Sequence, residues 1–415
     1  MTWTRKNILS ERLLAIPNDA SISSVTHGLI ATTVSYAGPL LVVFQAAKVA
    51  NLGDAQLSSW IWAISLGSAL TGIILSMWYK IPIITAWSTP GAALLVSGWA
   101  AYSYPDAIGA FIFSAIMMIV FGFTGWFSYL MEKIPSSIVS AMLAGILLSF
   151  GVDLFDSLGI APFLVFPMLI SYLLAKRWIP RYSVVVTLFV GILFAILLGR
   201  LHFNVVKIAL VKPVFTLPHF DLGALIGLGL PLFIVTMTSQ NAAGIAVLRG
   251  DGFDPPINPI VTITGIASLL LAPFGSHAIN LAAITAAICT GKDVHENPRK
   301  RYVAGIATGL FYLVLSMFGT AIVFLFSAFP EALVTSIAGL ALLSSLGSSL
   351  SSAMSGNEKE SGLVTFLITV SGISILGIGA AFWGLLGGLI TYYILHGSSA
   401  VAWSKLLKSK SQQDI

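Results

Sequence analysis

Charged side chains cut this chain of 415 residues into long apolar runs. Twelve stretches contain no Asp, Glu, Lys or Arg: 20–47, 55–79, 81–105, 107–131, 134–152, 157–175, 182–199, 222–248, 255–291, 302–330, 332–357 and 361–404. About 20 apolar residues, rising roughly 1.5 Å each, cross the hydrocarbon of a bilayer, so ten of these runs predict one spanning helix apiece. Runs 255–291 and 361–404 are long enough for two, and each contains breakers: Pro273-Phe-Gly-Ser-His277 in one and the glycines from Gly372 to Gly379 in the other. The pattern predicts an all-α membrane protein of fourteen transmembrane helices.

Composition excludes the main alternative. The chain is 57% hydrophobic and 9% charged, whereas a soluble domain carries about a quarter charged residues. With a mean hydropathy of +0.94 it lacks the polar surface of a large soluble enzyme. The net charge of +5 is explained by position. With the N-terminus inside, seventeen of the 21 cations are cytoplasmic, and only Lys48, Arg200, Lys207 and Lys212 lie outside. The Arg299-Lys300-Arg301 cluster therefore reads as a membrane anchor before a nucleic-acid patch. The single Cys289 allows no internal disulfide and no cysteine-based metal site. Residues 1–21 are polar, so no secretory signal is expected before the first apolar run.

The two halves of the chain are weakly self-similar. Pro39-Leu-Leu-Val-Val43 matches Pro231-Leu-Phe-Ile-Val235, Thr71-Gly-Ile73 matches Thr264-Gly-Ile266, Pro135 matches Pro330, and Ala144-Gly145 matches Ala338-Gly339. All lie in order, at offsets of 192 to 195. Seven helices per repeat is an odd number, so the second copy enters from the opposite side of the membrane. Inverted repeats are a hallmark of secondary transporters, whose site near the midplane is exposed alternately to each side.

The acids lie at run boundaries or in loops, which leaves His27 and His277 as the titratable candidates within the membrane. Two segments read as discontinuous. In helix 3, the β-favouring Ile83-Ile84-Thr85 is followed by Ser88-Thr89-Pro90, the signature of a helix start, with a short half-helix to Gly98. In helix 10, Pro273 to Asn280 is extended and glycine-broken before the helical run 282–289. Opposed half-helices would aim free N–H groups and partial positive charge at one point, which attracts an anion. A proline kink in an unbroken helix fits the first segment too. In helix 8, Ser239-Gln240-Asn241 places amides in an apolar stretch, for ligand binding or for interhelical hydrogen bonds. Tyr36 offers an aromatic face or core packing; His27 and His277 are proton carriers or packed histidines.

Several strings resemble the bacterial benzoate:proton symporter family: 38–47, Trp60-Ile-Trp-Ala-Ile-Ser65, 81–93, Gly229-Leu-Pro-Leu-Phe-Ile-Val-Thr-Met-Thr-Ser-Gln-Asn241 and 272–287. The resemblance runs from about residue 20 to 395. It implies the fold of uracil permease and the sulfate transporters: seven plus seven inverted helices, short strands preceding half-helices 3 and 10, a core of helices 1–4 and 8–11, and a gate of helices 5–7 and 12–14. Nucleobase relatives use carboxylates on helices 8 and 10, and the similar positions here hold Gln240 and Asn280. Amides tolerate an anionic cargo that acids would repel.

The expected organisation is a cytoplasmic segment 1–21, a first repeat 22–200, an external linker 201–221, a second repeat 222–396 and a cytoplasmic tail 397–415. The expected function is import of benzoate or a similar small aromatic carboxylate with a proton, by alternating access in a bacterial inner membrane; a homodimer follows from the resemblance. No enzymatic activity, cofactor, metal or nucleic acid is expected. The candidate site comprises Tyr36, Thr85, Trp87, Ser88, Thr89, Gln240, Asn241, His277 and Asn280, with His277 and His27 as proton-coupling candidates and a protonated substrate as the rival. A permease of the same fold for a nucleobase or another small anion is the alternative, and a channel or non-transporting sensor is a further class.

Overall fold

The computed structural model describes residues 15–127, 135–201, 209–355, 358–376 and 378–396. Most of the predicted cytoplasmic segment 1–21, part of the linker, Lys133 and the whole predicted tail 397–415 lie outside these residues. The first half of the chain begins with α1 (Ile22–Ala37) and α2 (Pro39–Val49), which together fill predicted helix 1 and are broken at Gly38. Then come α3 (Asp54–Tyr79), strand β1 (Thr85–Trp87), the short α4 (Thr89–Gly98), α5 (Tyr104–Thr124), α6 (Ser136–Ile160), α7 (Pro162–Trp178) and α8 (Ser183–Leu197). The second half holds α9 (Leu222–Gly250), α10 (Ile257–Leu271), strand β2 (Ile279–Leu281), α11 (Ile284–Thr290), α12 (Tyr302–Met317), α13 (Gly319–Ser327), α14 (Glu331–Ala353), α15 (Lys359–Val370) and α16 (Ala380–His396). α12 and α13 meet at 73° across Phe318 and occupy predicted helix 11.

Each half therefore runs helix, helix, strand with half-helix, helix, then three more helices. Packing repeats the same symmetry. α3 lies against α12 as α10 lies against α5; α1 lies against α12 as α9 lies against α5; α7 pairs with α8 as α15 pairs with α16; and α6 packs on its own counterpart, α14. Exchanging the halves maps this set of pairings onto itself, the relation required of an inverted repeat. The most extensive pairings fall within two groups, α1–α5 with α9–α13 and α6–α8 with α14–α16. Small residues let the helix backbones approach where the bilayer supplies no hydrophobic drive between helices. A Cβ on Gly309 of α12 would lie 2.8 Å from the Ala69 carbonyl oxygen of α3, and Gly305, one turn earlier, meets Ser76 in the same way.

Three local features depart from the sequence expectation. The helix filling run 134–152 continues through Asp153 and Asp156 to Ile160, and the next begins at Pro162 rather than at 157. Both acids are exposed, and i→i−4 hydrogen bonding carries on past the point where apolar composition stops. Strand β1 is Thr85–Trp87, two residues later than the β-favouring run, because its pairing with β2 sets its place. By length and composition seven described helices are able to cross a membrane, or eight if the bent pair is one span. The other segments are shorter because they are half-helices or end early.

Candidate substrate-binding site

β1 and β2 pair antiparallel at the centre of the molecule, with Thr85 opposite Leu281, Ala86 opposite Asn280 and Trp87 opposite Ile279. The ladder is extended symmetrically by Ser88 N–H to Ala278 O (3.2 Å) and Ala282 N–H to Ile84 O (2.9 Å). A two-stranded ribbon is marginal alone, and broken backbone at membrane depth must find every partner within the protein. Side chains from the flanking helices provide them. Thr85 Oγ1 donates to Ser68 O (2.8 Å) and accepts from Thr71 Oγ1 (2.8 Å), tying β1 to α3. On the other side, Ser268 Oγ of α10 accepts from Ile279 N–H (2.8 Å). Asn241 Oδ1 accepts from Leu281 N–H (3.0 Å), binding α9 to β2. The Asn280 amide accepts from Ser88 N–H (3.1 Å) and donates to Leu281 O (2.9 Å).

His277 belongs to the same framework. Trp60 Nε1–H, which can only donate, points at His277 Nδ1 (3.1 Å), and the ring's Nε2 lies 2.9 Å from Ser88 O. Nδ1 is therefore the bare nitrogen, and Nε2–H donates to the carbonyl. The ring is buried against Trp60 and Phe111. Thr85, Ser88, Asn241, His277 and Asn280, five of the nine residues expected at the site, are thus brought together as the crossing's internal hydrogen-bond network. His27 is remote from it, near the start of α1, with Nδ1 2.8 Å from Ser23 O.

Each strand runs on into a half-helix, β1 into α4 and β2 into α11. Ser88 caps α4, its Oγ accepting from Gly91 N–H (3.0 Å), and Pro90 lies at the second helical position, where its missing N–H leaves no bond unmade. α11 has no side-chain cap, which leaves first-turn N–H groups available.

In front of the crossing lies a cavity of about 690 Å³. Trp87, Thr89 and Gln240 line it, with Thr285 of α11 and Thr238 and Ser239 of α9. The last two and Gln240 sit in a π-helical turn, Thr236–Asn241, whose wider winding brings consecutive polar side chains toward one space. Trp87 is edge-on to Tyr36, with centroids 5.5 Å apart, and the Tyr36 hydroxyl is bonded to Ser65 Oγ (2.5 Å), so Tyr36 backs the wall instead of forming it. Trp87 and Thr285 each carry a buried polar atom without a protein partner, the indole N–H and the hydroxyl, as do Ser114, Ser276, Ser336 and Ser361 elsewhere among the described residues. Such groups are rare, because an unsatisfied buried donor costs about 1–3 kcal/mol.

The opposite wall comes from α6, α7, α8 and α14. Ser344, Ser345, Ser348, Ser349 and Ser352 recur on one face of α14, facing Ser136 and Ser140 of α6. Toward the exposed end of the cavity stands Lys176, the only charged residue among the described lining residues. The sequence places no part of the site at Thr285 or the serine face and marks Lys176 only as a cytoplasmic cation; the Ser-rich spacing of 344–352 is the available signal. The arrangement is a donor-rich, acid-free cavity with an indole in its wall, suited to an anion that carries a flat apolar part.

The chain matches the family described as benzoate membrane transport protein over residues 18–394. It is 42% identical over 384 residues to the benzoate membrane transport protein of Acinetobacter baylyi, covering 92% of this chain and 98% of that one. It is 40% identical over 386 residues to the inner membrane protein YdcO of Escherichia coli, covering 93% and 98%. Among solved structures, the transmembrane domain of a cyanobacterium bicarbonate transporter, BicA, superposes with a TM-score of 0.56 at 14% identity, covering 89% of this chain and 97% of that one. That likeness shows a shared fold.

Proposed function

The chain belongs to the benzoate membrane transport protein family, and from that premise we propose that it imports benzoate or a similar small aromatic carboxylate together with a proton. It is a multi-pass membrane transporter and not an enzyme. The observation that carries the choice of cargo is the cavity in front of the crossing, lined by hydroxyls, an amide and an indole, with no acid among its described lining residues. A carboxylate is suited to such a wall, and charge-assisted hydrogen bonds are the strong ones. Gln240 and the uncapped start of α11 add donors, while Trp87 and Thr89 border the ring.

The two packing groups act as core and gate: α1–α5 with α9–α13 carry the crossing, and α6–α8 with α14–α16 form the wall it moves against. Both termini face the cytoplasm of a bacterial inner membrane, a placement supported by the distribution of cations and by the inner-membrane relative. Lys176, Pro180 and Ser136 mark the open end of the cavity, so on this orientation the site faces inward. A homodimer is part of the proposal through the family resemblance.

The histidine geometry bears on the proton. A second proton on His277 would set its Nδ1–H against the Trp60 N–H at 3.1 Å. This geometry disfavours a proton relay through His277, and His27 is bonded locally near the start of α1, away from the crossing. Radiolabelled benzoate uptake into proteoliposomes, with and without an imposed proton gradient, tests the reading. Saturable uptake that rises with an inward gradient is expected; uptake indifferent to the gradient sinks the coupling, and competition by uracil in place of benzoate sinks the cargo.

A further inference from the structure

We infer that Lys176, hydrogen-bonded to Ser344, forms a second carboxylate-binding subsite at the open end of the cavity, on the gate wall and separate from the strand crossing. The inference rests on the proposed cargo and adds a station on its path. Lys176 Nζ donates to Ser344 Oγ (2.7 Å), and the Tyr172 hydroxyl lies 3.3 Å from the same oxygen. Tyr172 is buried, so the ammonium is anchored to a fixed point on the wall. No ion pair among the described residues joins Lys176 to an acid. One of its three donors is used by a neutral hydroxyl, and two remain for a ligand.

Lys176 belongs to α7 and Ser344 to α14, both in the gate group, whereas Trp87, Gln240 and Thr285 belong to the core group. When the core moves, the crossing and its bound carboxylate move with it and Lys176 stays behind. The lysine therefore contributes to affinity only in the state whose cavity it lines, the inward-facing state on the proposed orientation. An aromatic carboxylate leaving the crossing passes from neutral donors to this exposed cation on the gate wall, where salt screens the attraction.

The test is benzoate counterflow in proteoliposomes of known sidedness, comparing half-saturation for internal and external benzoate in wild type, Lys176→Gln and Lys176→Arg at low and high KCl. The expected result is that Lys176→Gln raises internal half-saturation about three- to tenfold and flattens its salt dependence, with external half-saturation moving less, and that Lys176→Arg restores both. Equal rises on both faces would assign the lysine a packing role and overturn the inference, as would an unchanged internal half-saturation with unchanged salt response. Absence of benzoate counterflow in wild type would instead overturn the cargo on which the inference rests.

Discussion

Replacing Thr285 by valine is the sharpest perturbation of the proposed site. The two side chains are nearly isosteric, so packing in the first turn of α11 is kept and only a hydroxyl is lost. That hydroxyl is buried and has no partner within the protein, and Thr285 borders the cavity. Removing it relieves an unsatisfied donor, a group that costs about 1–3 kcal/mol. The substrate-free protein is therefore expected to unfold at the same temperature or higher. With a carboxylate bound, the same hydroxyl makes a charge-assisted hydrogen bond of about 1.5–3 kcal/mol, so affinity falls roughly ten- to a hundredfold. Thr285→Ser, which keeps the hydroxyl, stays near wild type. Equilibrium binding of labelled benzoate to detergent-purified protein, read beside thermal unfolding without ligand, separates the two effects. Binding within twofold of wild type would refute the reasoning, and so would a loss of affinity accompanied by a drop of several degrees in melting temperature.

Three further expectations follow from the geometry. Gln240→Ala raises half-saturation for benzoate about tenfold by removing an amide from the cavity wall, and Gln240→Glu removes measurable binding by setting a like charge against the carboxylate, both read from binding isotherms. Gly38 separates α1 from α2 where they meet the gate, and a Cβ there would lie 2.8 Å from Ala341 Cβ and 2.9 Å from Val184 Cγ1. Gly38→Val is expected to lower maximal uptake severalfold with a smaller change in equilibrium binding, because it obstructs the surface along which core and gate move. At the proposed cytoplasmic edge, burial pushes the Asp19 carboxyl up, but the hydrogen bond from Tyr302 and the Lys300 and Lys80 charges outweigh it and hold the group below its usual 3.8. A depressed acid contributes stability above its unfolded pKa, and that contribution is lost as pH falls through the lower folded value. Asp19→Asn is thus expected to lower the melting temperature by about one to a few degrees at neutral pH, and to differ little from wild type once both are well below pH 3.8.

Much of this architecture could be read from residues alone. Charge-free runs located the helices because charge in hydrocarbon is costly, and Pro273-Phe-Gly and Ser88-Thr-Pro marked the two breaks because proline and glycine act locally on the backbone. Trp87, Thr89 and Gln240 were recognisable as polar or amphipathic groups beside those breaks, and they line the cavity. The same logic grouped Thr85, Ser88, Asn241, His277 and Asn280 with them. Distinguishing wall from framework needs the register of β1 on β2, a contact between residues almost two hundred positions apart. Thr285 looks like any helical threonine until the absence of a partner is seen. Lys176 looked like an orientation marker at a helix end, and only the packing of α7 on α14 turns it toward the cavity. The π-helical turn around Gln240 carries no breaker residue and was invisible to pattern reading.

The account stands on an aromatic carboxylate lying in front of the strand crossing. Determining the structure of the protein with para-bromobenzoate, and locating the bromine by anomalous scattering, tests this directly. The predicted result is a single bromine peak in the cavity bordered by Trp87, Gln240 and Thr285, with the carboxylate within hydrogen-bond distance of Trp87 Nε1 and Thr285 Oγ1. A bromine peak elsewhere in a protein that still binds the compound would contradict it.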